Sequence, residues 1–222
     1  MRKNYLPIPP SPHPPISPSP HFPLSSSPHL PIATLILAGG KSSRMGTDKA
    51  LVPYKGTPML RRVYQVAATC TEQVYILTPW PELYQNILPP DCNYLIETQC
   101  GKGPVNGLSE GIPKIWADWI LLLACDLPLL DVGILQNWIN KLPQIPTSTL
   151  AVVPQRSDIW EPMCAFYRKE VKTELDTFLK KGKRSFQELL SGIEVEALDV
   201  DEKTALMLFN CNFPGDLDKN YS

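Results

Sequence analysis

The sequence predicts an α/β fold in which a mainly parallel sheet is covered by helices on both faces. Short apolar runs alternate along the chain with stretches of helical periodicity, as in βαβ units. The run at residues 119–125 reads WILLLAC, and this unbroken apolar character is typical of a strand buried on both faces. The first apolar run ends in Gly39-Gly40, which predicts a tight loop after a strand.

Each element follows from local pattern. Strands are expected at residues 32–38, 74–78, 94–97, 119–125, 150–153 and 163–167. Helices are expected at residues 57–68, 81–87, 104–116, 131–140, 168–180 and 185–190. Thr57 is expected to cap the first helix, with Pro58 as its first helical residue, and Asp131 to cap the fourth.

The chain divides into two parts of different character. Residues 1–31 hold 11 of the 25 prolines and no acidic residue. Such a stretch buries too little apolar surface to offset its ordering entropy, so it is expected to be a disordered tail with polyproline II character. Residues 32–222 are expected to form a single domain, since 222 residues in all suit one domain or two.

Composition narrows the class of protein. A net charge of -1 argues against a nucleic-acid partner, which usually requires a basic excess. No run of 18 apolar residues occurs, so no membrane span is expected. The six cysteines form no CxxC pair, and together with the lack of a secretory signal they fit a reducing, cytoplasmic setting.

The positions of the histidines restrict the chemistry. His13, His21 and His29 all lie in the proline-rich stretch, so the expected domain contains no histidine. A histidine base, a Ser-His or Cys-His couple and a histidine-ligated metal are therefore excluded from it. Carboxylates, lysine, arginine and backbone amides remain.

The loop after the first strand is the strongest candidate site. Three glycines let its backbone approach a ligand, and three cations converge on it: Lys41, Arg44 and Lys49. Exposed amides and convergent cations suit a triphosphate, although the spacing is neither that of a Walker A loop nor GxGxxG. Asp126 follows the central strand, and ligands bind where parallel strands end.

Beyond this pattern, the loop resembles the signature LAGGxSxRMGxDK of the molybdenum cofactor guanylyltransferases, the MobA-type family. The matching residues are Leu37, Ala38, Gly39, Gly40, Ser42, Arg44, Met45, Gly46, Asp48 and Lys49. Residues 103–108, 123–128, 161–167 and 209–217 are similar to the family's GPLxGL, CDxP, PLxALY and NxNTPxDL segments, in the same order. The resemblance implies a Rossmann-like nucleotidyltransferase fold.

The resemblance also implies roles for individual residues. GTP would be bound by Leu37, Ala38, Gly39, Gly40, Lys49, Glu97 and Asp126. The catalytic residues would be Arg44 and Lys49, which neutralise the phosphates, and Asp126, which would hold Mg²⁺. The acceptor would lie near Asn210 and Asn212, with Arg156, Arg184 and Ser185 as further candidates for its phosphate.

The implied reaction is transfer of GMP from GTP to the terminal phosphate of molybdenum-molybdopterin. The acceptor phosphate is already anionic at neutral pH and needs no general base, which agrees with the absence of histidine from residues 32–222. Molybdopterin-insertion proteins or apo-molybdoenzymes are the further partners that the resemblance implies.

Three alternatives stay open. A cytidylyltransferase acting on the same pterin and a sugar-1-phosphate nucleotidyltransferase would share the fold, although Ala38-Gly39-Gly40 favours the guanylyl form in the family that it resembles. A non-catalytic nucleotide-binding adaptor that delivers the cofactor belongs to another class. Arg44, Lys49 and Asp126 argue against the adaptor, because a binder without catalysis does not need them.

Overall fold

The computed structural model describes residues 30–39 and 48–211. The predicted tail lies outside this part of the chain except for Leu30 and Pro31, and so do Gly40, Arg44 and Asn212. Pro31 already contacts the domain, since its carbonyl accepts hydrogen bonds from the backbone of Asp118 and Trp119. Within the described ranges, every helix is too short or too polar to cross a membrane.

Residues 30–39 and 48–211 contain ten strands and six α-helices. The strands are β1 Ile32–Leu37, β2 Pro53–Tyr54, β3 Thr57–Pro58, β4 Gln73–Thr78, β5 Asn93–Ile96, β6 Trp119–Ala124, β7 Ala151–Arg156, β8 Ile159–Trp160, β9 Cys164–Arg168 and β10 Val195–Asp199. The helices are α1 Met59–Cys70, α2 Pro104–Gly111, α3 Val132–Ile139, α4 Val171–Lys180, α5 Phe186–Leu190 and α6 Glu202–Met207.

The central sheet has the order β10-β7-β9-β6-β1-β4-β5, with β8 paired to the end of β7. The pairs β6-β1, β1-β4, β4-β5 and β10-β7 are parallel, while β9 runs antiparallel to both of its neighbours. β1 lies between β6 and β4, with Leu37 opposite Ala124 on one side and Leu77 on the other. The predicted α/β fold with a mainly parallel sheet is thus confirmed.

Two hydrophobic cores lie on opposite faces of the sheet. Alternate residues of a strand point to opposite faces, so Ile36 joins one core and Leu35 the other. The first core includes apolar residues of α1 and α3, and the second includes those of α2, α4 and α5. This three-layer arrangement covers both faces and leaves the ends of the strands available for a site.

Helix α2 packs unusually close to β1. A Cβ placed on Gly111 would lie 2.4 Å from Cδ2 of Leu35, a fully buried side chain. Glycine at this position therefore allows a helix–sheet approach that any larger residue would push apart. The beginning of α2 therefore lies at the same end of the sheet as the carboxyl end of β1.

Several predicted boundaries differ from the structure. Thr57 and Pro58 form the short strand β3, which pairs with β2, so Thr57 does not cap α1. The helix predicted at residues 81–87 is limited to the 3-10 turn Pro81–Leu83, and the one predicted at residues 104–116 ends as α2 at Gly111. A 3-10 turn at Ile112–Lys114 follows, because Pro113 lacks the N–H that would continue the helix.

Other elements agree with the prediction or were missed. Asp131 caps α3 as expected, its side chain accepting a hydrogen bond from the Ile134 N–H. The segment 168–170 belongs to β9 and the turn after it, so α4 begins later than predicted. The edge strand β10, the helix α6 and the short strands β2, β3 and β8 were not predicted from the sequence.

Candidate active site

A cavity of about 430 Å³ lies where β1, β4 and β6 end. Its size is in the range of small-molecule and cofactor sites. We call it the strand-end cavity; its lining includes Ala38, Gly39, Lys49, Glu97, Gly103 and Asp126. Of the predicted nucleotide-binding residues, Leu37 also lines it, while Gly40 lies outside the described residues. The sheet therefore brings together segments that are far apart in the sequence.

Lys49 and Asp126 form an ion pair in this cavity. The Lys49 Nζ donates to the Asp126 Oδ2 at 3.0 Å, and the two side chains are only 17% and 16% exposed. Lys49 begins a 3-10 turn at the far end of the loop after β1, whereas Asp126 follows β6. A partly buried cation beside a carboxylate offers a phosphate partner and a metal ligand at one place.

The position of Lys49 depends on its neighbour Asp48. The Asp48 carboxylate caps the 3-10 turn by accepting from the Ala50 N–H at 3.0 Å, and it accepts from the Tyr84 hydroxyl at 2.6 Å. Tyr84 is completely buried, and burial together with the Asp48 bond raises the pKa of its hydroxyl. Tyr84 was missed by sequence reasoning, because nothing near it in the sequence points to a contact with Asp48.

The end of β1 requires glycine at Gly39. Its φ is 116°, a conformation that other residues rarely adopt. A Cβ at this position would also lie 2.7 Å from Cδ of Pro79. The preceding N–H, of Ala38, is bonded to the Leu77 carbonyl and so continues the sheet pairing. Gly39 therefore turns the chain at the cavity wall without a side chain in the way.

Glu97 lines the strand-end cavity directly after β5. Burial raises the pKa of its carboxyl, and the nearby charge of Glu110 raises it further. The amino end of α2 contributes Gly103, Pro104 and Gly107 to the same wall. Gly103 has no side chain to cap α2, so the positive end of the helix dipole lies at this wall and favours a negatively charged ligand.

A second cavity, of about 250 Å³, is lined by Arg156, Glu161, Phe209 and Asn210 among others. We call it the C-terminal cavity. Arg156 and Glu161 pair at 4.0 Å across the β7–β8 hairpin. Of the candidate acceptor residues, Asn210 and Arg156 meet here, and Asn212 lies outside the described residues.

Backbone contacts near Asp126 place segments that line the two cavities next to each other. The Cys211 N–H donates to the Asp126 carbonyl at 3.0 Å, which places the Asn210 segment beside the end of β6. The segment before β9 links them as well, since Glu161 lines the C-terminal cavity and Met163 the strand-end cavity.

Arg184 and Ser185 line neither of these cavities. Arg184 donates to the carbonyls of Leu179 and Lys183, and Ser185 caps α5. Both residues have structural partners that account for them.

The donor set around Asp126 suits one kind of metal ion. No group of three or more His, Cys, Asp or Glu that could hold a metal occurs in residues 30–39 and 48–211. Mg²⁺ in nucleotide enzymes is commonly held by one or two carboxylates together with substrate phosphates, rather than by a complete protein cage. Asp126, partly exposed in the cavity and paired with the Lys49 ammonium, fits that mode of binding.

The Cys125 thiol, a candidate nucleophile, also lines the strand-end cavity. Burial and the charges of Asp126 and Asp48 raise the pKa of Cys125, so its thiol stays protonated. The site can therefore bind and orient anionic groups and neutralise their charge, which suits transfer between two phosphates.

The chain is similar to known protein sequences over most of its length. The sequence model of the MobA-like NTP transferase domain matches residues 34–196. The chain is 44% identical over 186 residues to a "probable molybdenum cofactor guanylyltransferase" of Nostoc sp., with 84% of the chain and 88% of the relative covered. A protein of the same name from Synechococcus elongatus is 40% identical, with 83% and 95% covered.

Solved structures resemble the fold. The molybdopterin-guanine dinucleotide biosynthesis protein A of Archaeoglobus fulgidus superposes with a TM-score of 0.70 at 19% identity, covering 83% of this chain and 94% of that one. A CMP:2-keto-3-deoxy-manno-octonic acid synthetase crystallised with CTP gives a TM-score of 0.65 at 15% identity, with 85% and 95% covered. At these identities the likeness concerns the fold, which is that of nucleotidyltransferases.

Proposed function

The chain belongs to the MobA-like NTP transferase family, and on this basis we propose that it is a molybdenum cofactor guanylyltransferase. The reaction is transfer of GMP from GTP to the terminal phosphate of molybdenum-loaded molybdopterin, with release of pyrophosphate. The observation that carries the proposal is the Lys49–Asp126 pair in the strand-end cavity. It supplies a cation for phosphate and a carboxylate for metal at the ends of β1 and β6.

GTP is proposed to occupy the strand-end cavity. Leu37, Ala38 and Gly39 would meet the guanosine end through the backbone, and Glu97 would accept hydrogen bonds from the nucleoside. Gly40, outside the described residues, would extend this backbone contact, while Lys49 and Arg44, which also lies outside the described residues, would neutralise the phosphates. The cavity volume and the converging polar groups support this arrangement.

Mg²⁺ is the proposed cofactor, with Asp126 as its protein ligand. When bound, it would neutralise triphosphate charge and favour departure of pyrophosphate. Lys49 pairs with the same carboxylate and orients it, because its Nζ lies 3.0 Å from the Asp126 Oδ2.

The chemistry proceeds without a general base. A terminal phosphate oxygen of the acceptor attacks the α-phosphorus of GTP, and the new P–O bond forms as the bond from the α-phosphorus to the oxygen that bridges it to the β-phosphate breaks. The electron pair of that bond leaves with pyrophosphate. Lys49 stabilises the phosphate charge, and the ends of β1 and β6 hold the two reacting anions in line.

The acceptor is proposed to lie in the C-terminal cavity. Arg156 offers a guanidinium for a phosphate, and Asn210 offers amide groups for a pterin. The bond between the Cys211 N–H and the Asp126 carbonyl places this cavity next to the proposed metal ligand. Donor and acceptor would then approach Asp126 from its two sides.

Two substitutions test the site. Lys49→Met removes the phosphate cation while keeping its apolar stem, and Asp126→Asn removes the carboxylate charge at nearly constant volume. Each is expected to lower GMP transfer on the order of 10²–10³-fold, as for loss of a preorganised charge. The measurement is formation of the guanine dinucleotide cofactor by purified, folded protein.

Lys169→Met is the matched control, since Lys169 pairs with Asp118 at the opposite end of β6 from Asp126. It should leave transfer unchanged. Near-normal turnover by a folded Lys49→Met or Asp126→Asn variant would contradict the proposed site.

Competition among nucleotides tests the base. With Mg²⁺ and molybdopterin present, GTP is expected to support transfer and pyrophosphate release, while CTP and ATP are not. Transfer from CTP alone would assign the chain to cytidylyl chemistry of the same fold. Binding of GTP without release of pyrophosphate would instead identify a nucleotide-binding adaptor.

Removal of divalent cations tests the cofactor. Treatment with EDTA is expected to abolish GMP transfer, and added Mg²⁺ to restore it, because Lys49 and Arg44 balance only part of the triphosphate charge and Asp126 adds a further negative charge. Full transfer in EDTA would show that the proposed metal is not needed.

A further inference from the structure

The segment that carries Glu97 is fastened on both sides by two residues outside the strand-end cavity. The Glu110 Oε1 accepts from the Thr98 N–H at 2.6 Å. The Lys114 Nζ donates to the Ile96 carbonyl at 2.9 Å. Glu110 lies on α2 and Lys114 ends the 3-10 turn after it, and the two pair with each other at 3.4 Å. We call Glu110 and Lys114 the bracket.

A third bond completes the fixation of this backbone. The Glu97 N–H donates to the Thr78 carbonyl at 3.0 Å, at the end of β4. Hydrogen bonds thus hold three consecutive backbone groups: the Ile96 carbonyl, the Glu97 N–H and the Thr98 N–H. Because the backbone dihedrals are held on both sides, the direction of the Glu97 Cα–Cβ bond toward the cavity is held as well.

Glu110 keeps its charge although its side chain is nearly buried. Its side chain is 11% exposed, and its Oε2 is buried without a hydrogen bond from a described residue. Burial raises the pKa of this carboxyl, but the Thr98 N–H and Lys114 outweigh burial and lower it, so the group is charged. The bonds to the Thr98 N–H and Lys114 therefore hold a charged Glu110 side chain against the segment that carries Glu97.

We propose that Glu110 and Lys114 are positioning residues that aim the Glu97 carboxylate at the nucleoside part of the bound nucleotide. There Glu97 accepts hydrogen bonds from N–H or O–H groups of the nucleoside. This inference rests on the proposed function, because it assumes that a nucleotide occupies the strand-end cavity.

The length of the glutamate side chain explains why positioning is needed. Glu97 has three rotatable side-chain bonds and loses considerable rotamer entropy when it is held against a ligand. A backbone that already points the stem at the nucleotide reduces the number of arrangements to be lost on binding. The bracket therefore acts on nucleotide affinity rather than on the phosphate chemistry at Lys49 and Asp126.

The first test compares nucleotide binding and kinetics. Lys114→Met removes the bond to the Ile96 carbonyl and the ion pair with Glu110, but keeps an apolar stem. We expect it to raise the KM and Kd for GTP about tenfold, the effect of losing one well-placed interaction, with kcat within about twofold of wild type.

Two further variants are controls for Lys114→Met. Lys114→Arg retains a donor and a positive charge and should stay within about threefold of wild type in Kd. Lys169→Met, in a surface ion pair elsewhere, should leave Kd unchanged. A fall in kcat at unchanged KM in Lys114→Met, or equal losses in Lys114→Met and Lys169→Met, would overturn the assignment.

A double-mutant cycle then asks whether the bracket acts through Glu97. Glu97→Gln alone is expected to weaken GTP binding by about tenfold or more. Adding Lys114→Met should change Kd by less than about twofold, because there is no longer a carboxylate to aim. Independent, multiplying losses would mean that Lys114 does not act through Glu97, and the proposal would fail.

If Lys114→Met folds poorly, Glu110→Gln can replace it as the first variant of the double-mutant cycle. Its amide oxygen can still accept from the Thr98 N–H, whereas the charge that pairs with Lys114 is removed. A loss of GTP affinity that disappears in the Glu97→Gln background supports the bracket, and a loss that persists there opposes it.

Failure of the bracket is distinguishable from failure of the proposed function. If wild-type protein binds another nucleoside triphosphate in place of GTP, the base assignment falls, yet the same cycle can be run with that nucleotide. If GTP binds and transfers normally but the cycle is additive, only the bracket falls. Absence of any nucleotide binding would overturn both.

Discussion

At the scale of single residues, Glu97 couples function to a cost in stability. Burial and the charge of Glu110 raise the pKa of its carboxyl above the ordinary value near 4.3. A raised pKa means that the ionised form is disfavoured in the folded state. The stability that the protonated Glu97 carboxyl contributes is therefore present below its ordinary pKa. It is lost as the pH rises through the raised pKa of the folded state.

This sign leads to a prediction for Glu97→Gln. The substitution should raise the melting temperature at pH 8, where wild type holds a disfavoured carboxylate, and change it less at pH 4, where the carboxyl is largely protonated in both states. The same variant should bind GTP more weakly. Thermal unfolding at the two pH values, beside a GTP titration at pH 8, measures both effects. A lower melting temperature at pH 8 than that of wild type would contradict the account.

Tyr84 gives a second residue-scale prediction. Tyr84→Phe removes the 2.6 Å bond to Asp48 and with it a support for the turn that begins at Lys49. We expect unfolding free energy to fall by about 1.5–3 kcal/mol, as for a buried bond to a charged group, and the KM for GTP to rise severalfold. Urea unfolding and steady-state kinetics are the measurements.

The control for that prediction is Tyr75→Phe. The Tyr75 hydroxyl donates to Gln73 at the surface, so the same chemical change should cost little. Equal losses in the two variants would mean that the bond between Tyr84 and Asp48 has no special role.

At the scale of elements, the strands were predicted better than the helices. The strands β1, β4 and β6 carry long apolar runs, and this pattern reports burial directly. The helix ends were predicted from capping residues and prolines, and strand pairing in the folded protein changed where the helices begin. Pro58, which was expected to begin α1, instead pairs with Pro53 across the β2–β3 hairpin.

The strand β10 was missed for a related reason. It reads VEALD, and of its residues only Leu198 is buried, because it lies at the edge of the sheet. An edge strand with little buried surface leaves a weak period-2 pattern in the sequence. Its place beside β7 follows from the tertiary fold and not from its own residues.

The close approach of α2 and β1 is tested by Gly111→Ala. The added methyl would meet Leu35 at 2.4 Å, so we expect unfolding free energy to fall by about 1–3 kcal/mol, as for overpacking of a core. Gly192→Ala is the control, since a Cβ there meets the Leu189 carbonyl at an ordinary 3.5 Å. Chemical unfolding of both proteins separates crowding from the general effect of replacing glycine; equal changes would argue against a tight α2–β1 contact.

At the scale of the whole molecule, the candidate site is assembled from distant segments. Sequence reasoning could place Lys49 and Asp126 at strand ends, because parallel strands deliver their carboxyl ends to one edge. It could not give the contact between Tyr84 and Asp48, or the bracket around Glu97. These contacts depend on how helices and loops pack, which no local pattern records.

The predicted division of the chain can be tested by deleting most of the proline-rich stretch. The Pro31 carbonyl is bonded to Asp118 and Trp119, so a deletion that leaves the domain intact must end before it. Removal of residues 1–29 is expected to leave the melting temperature and GMP transfer unchanged, if this stretch is the disordered tail that its composition predicts. A drop of several degrees in the truncated protein would mean that the tail packs on the domain.

The bond from Cys211 to Asp126 also has a consequence during synthesis. The strands β1, β4 and β6 leave the ribosome well before residue 211, so the nascent chain can form the walls of the strand-end cavity first. The C-terminal cavity also requires Phe209 and Asn210, which follow α6 and are translated later. On a growing polypeptide the proposed nucleotide site can therefore form before the proposed acceptor site.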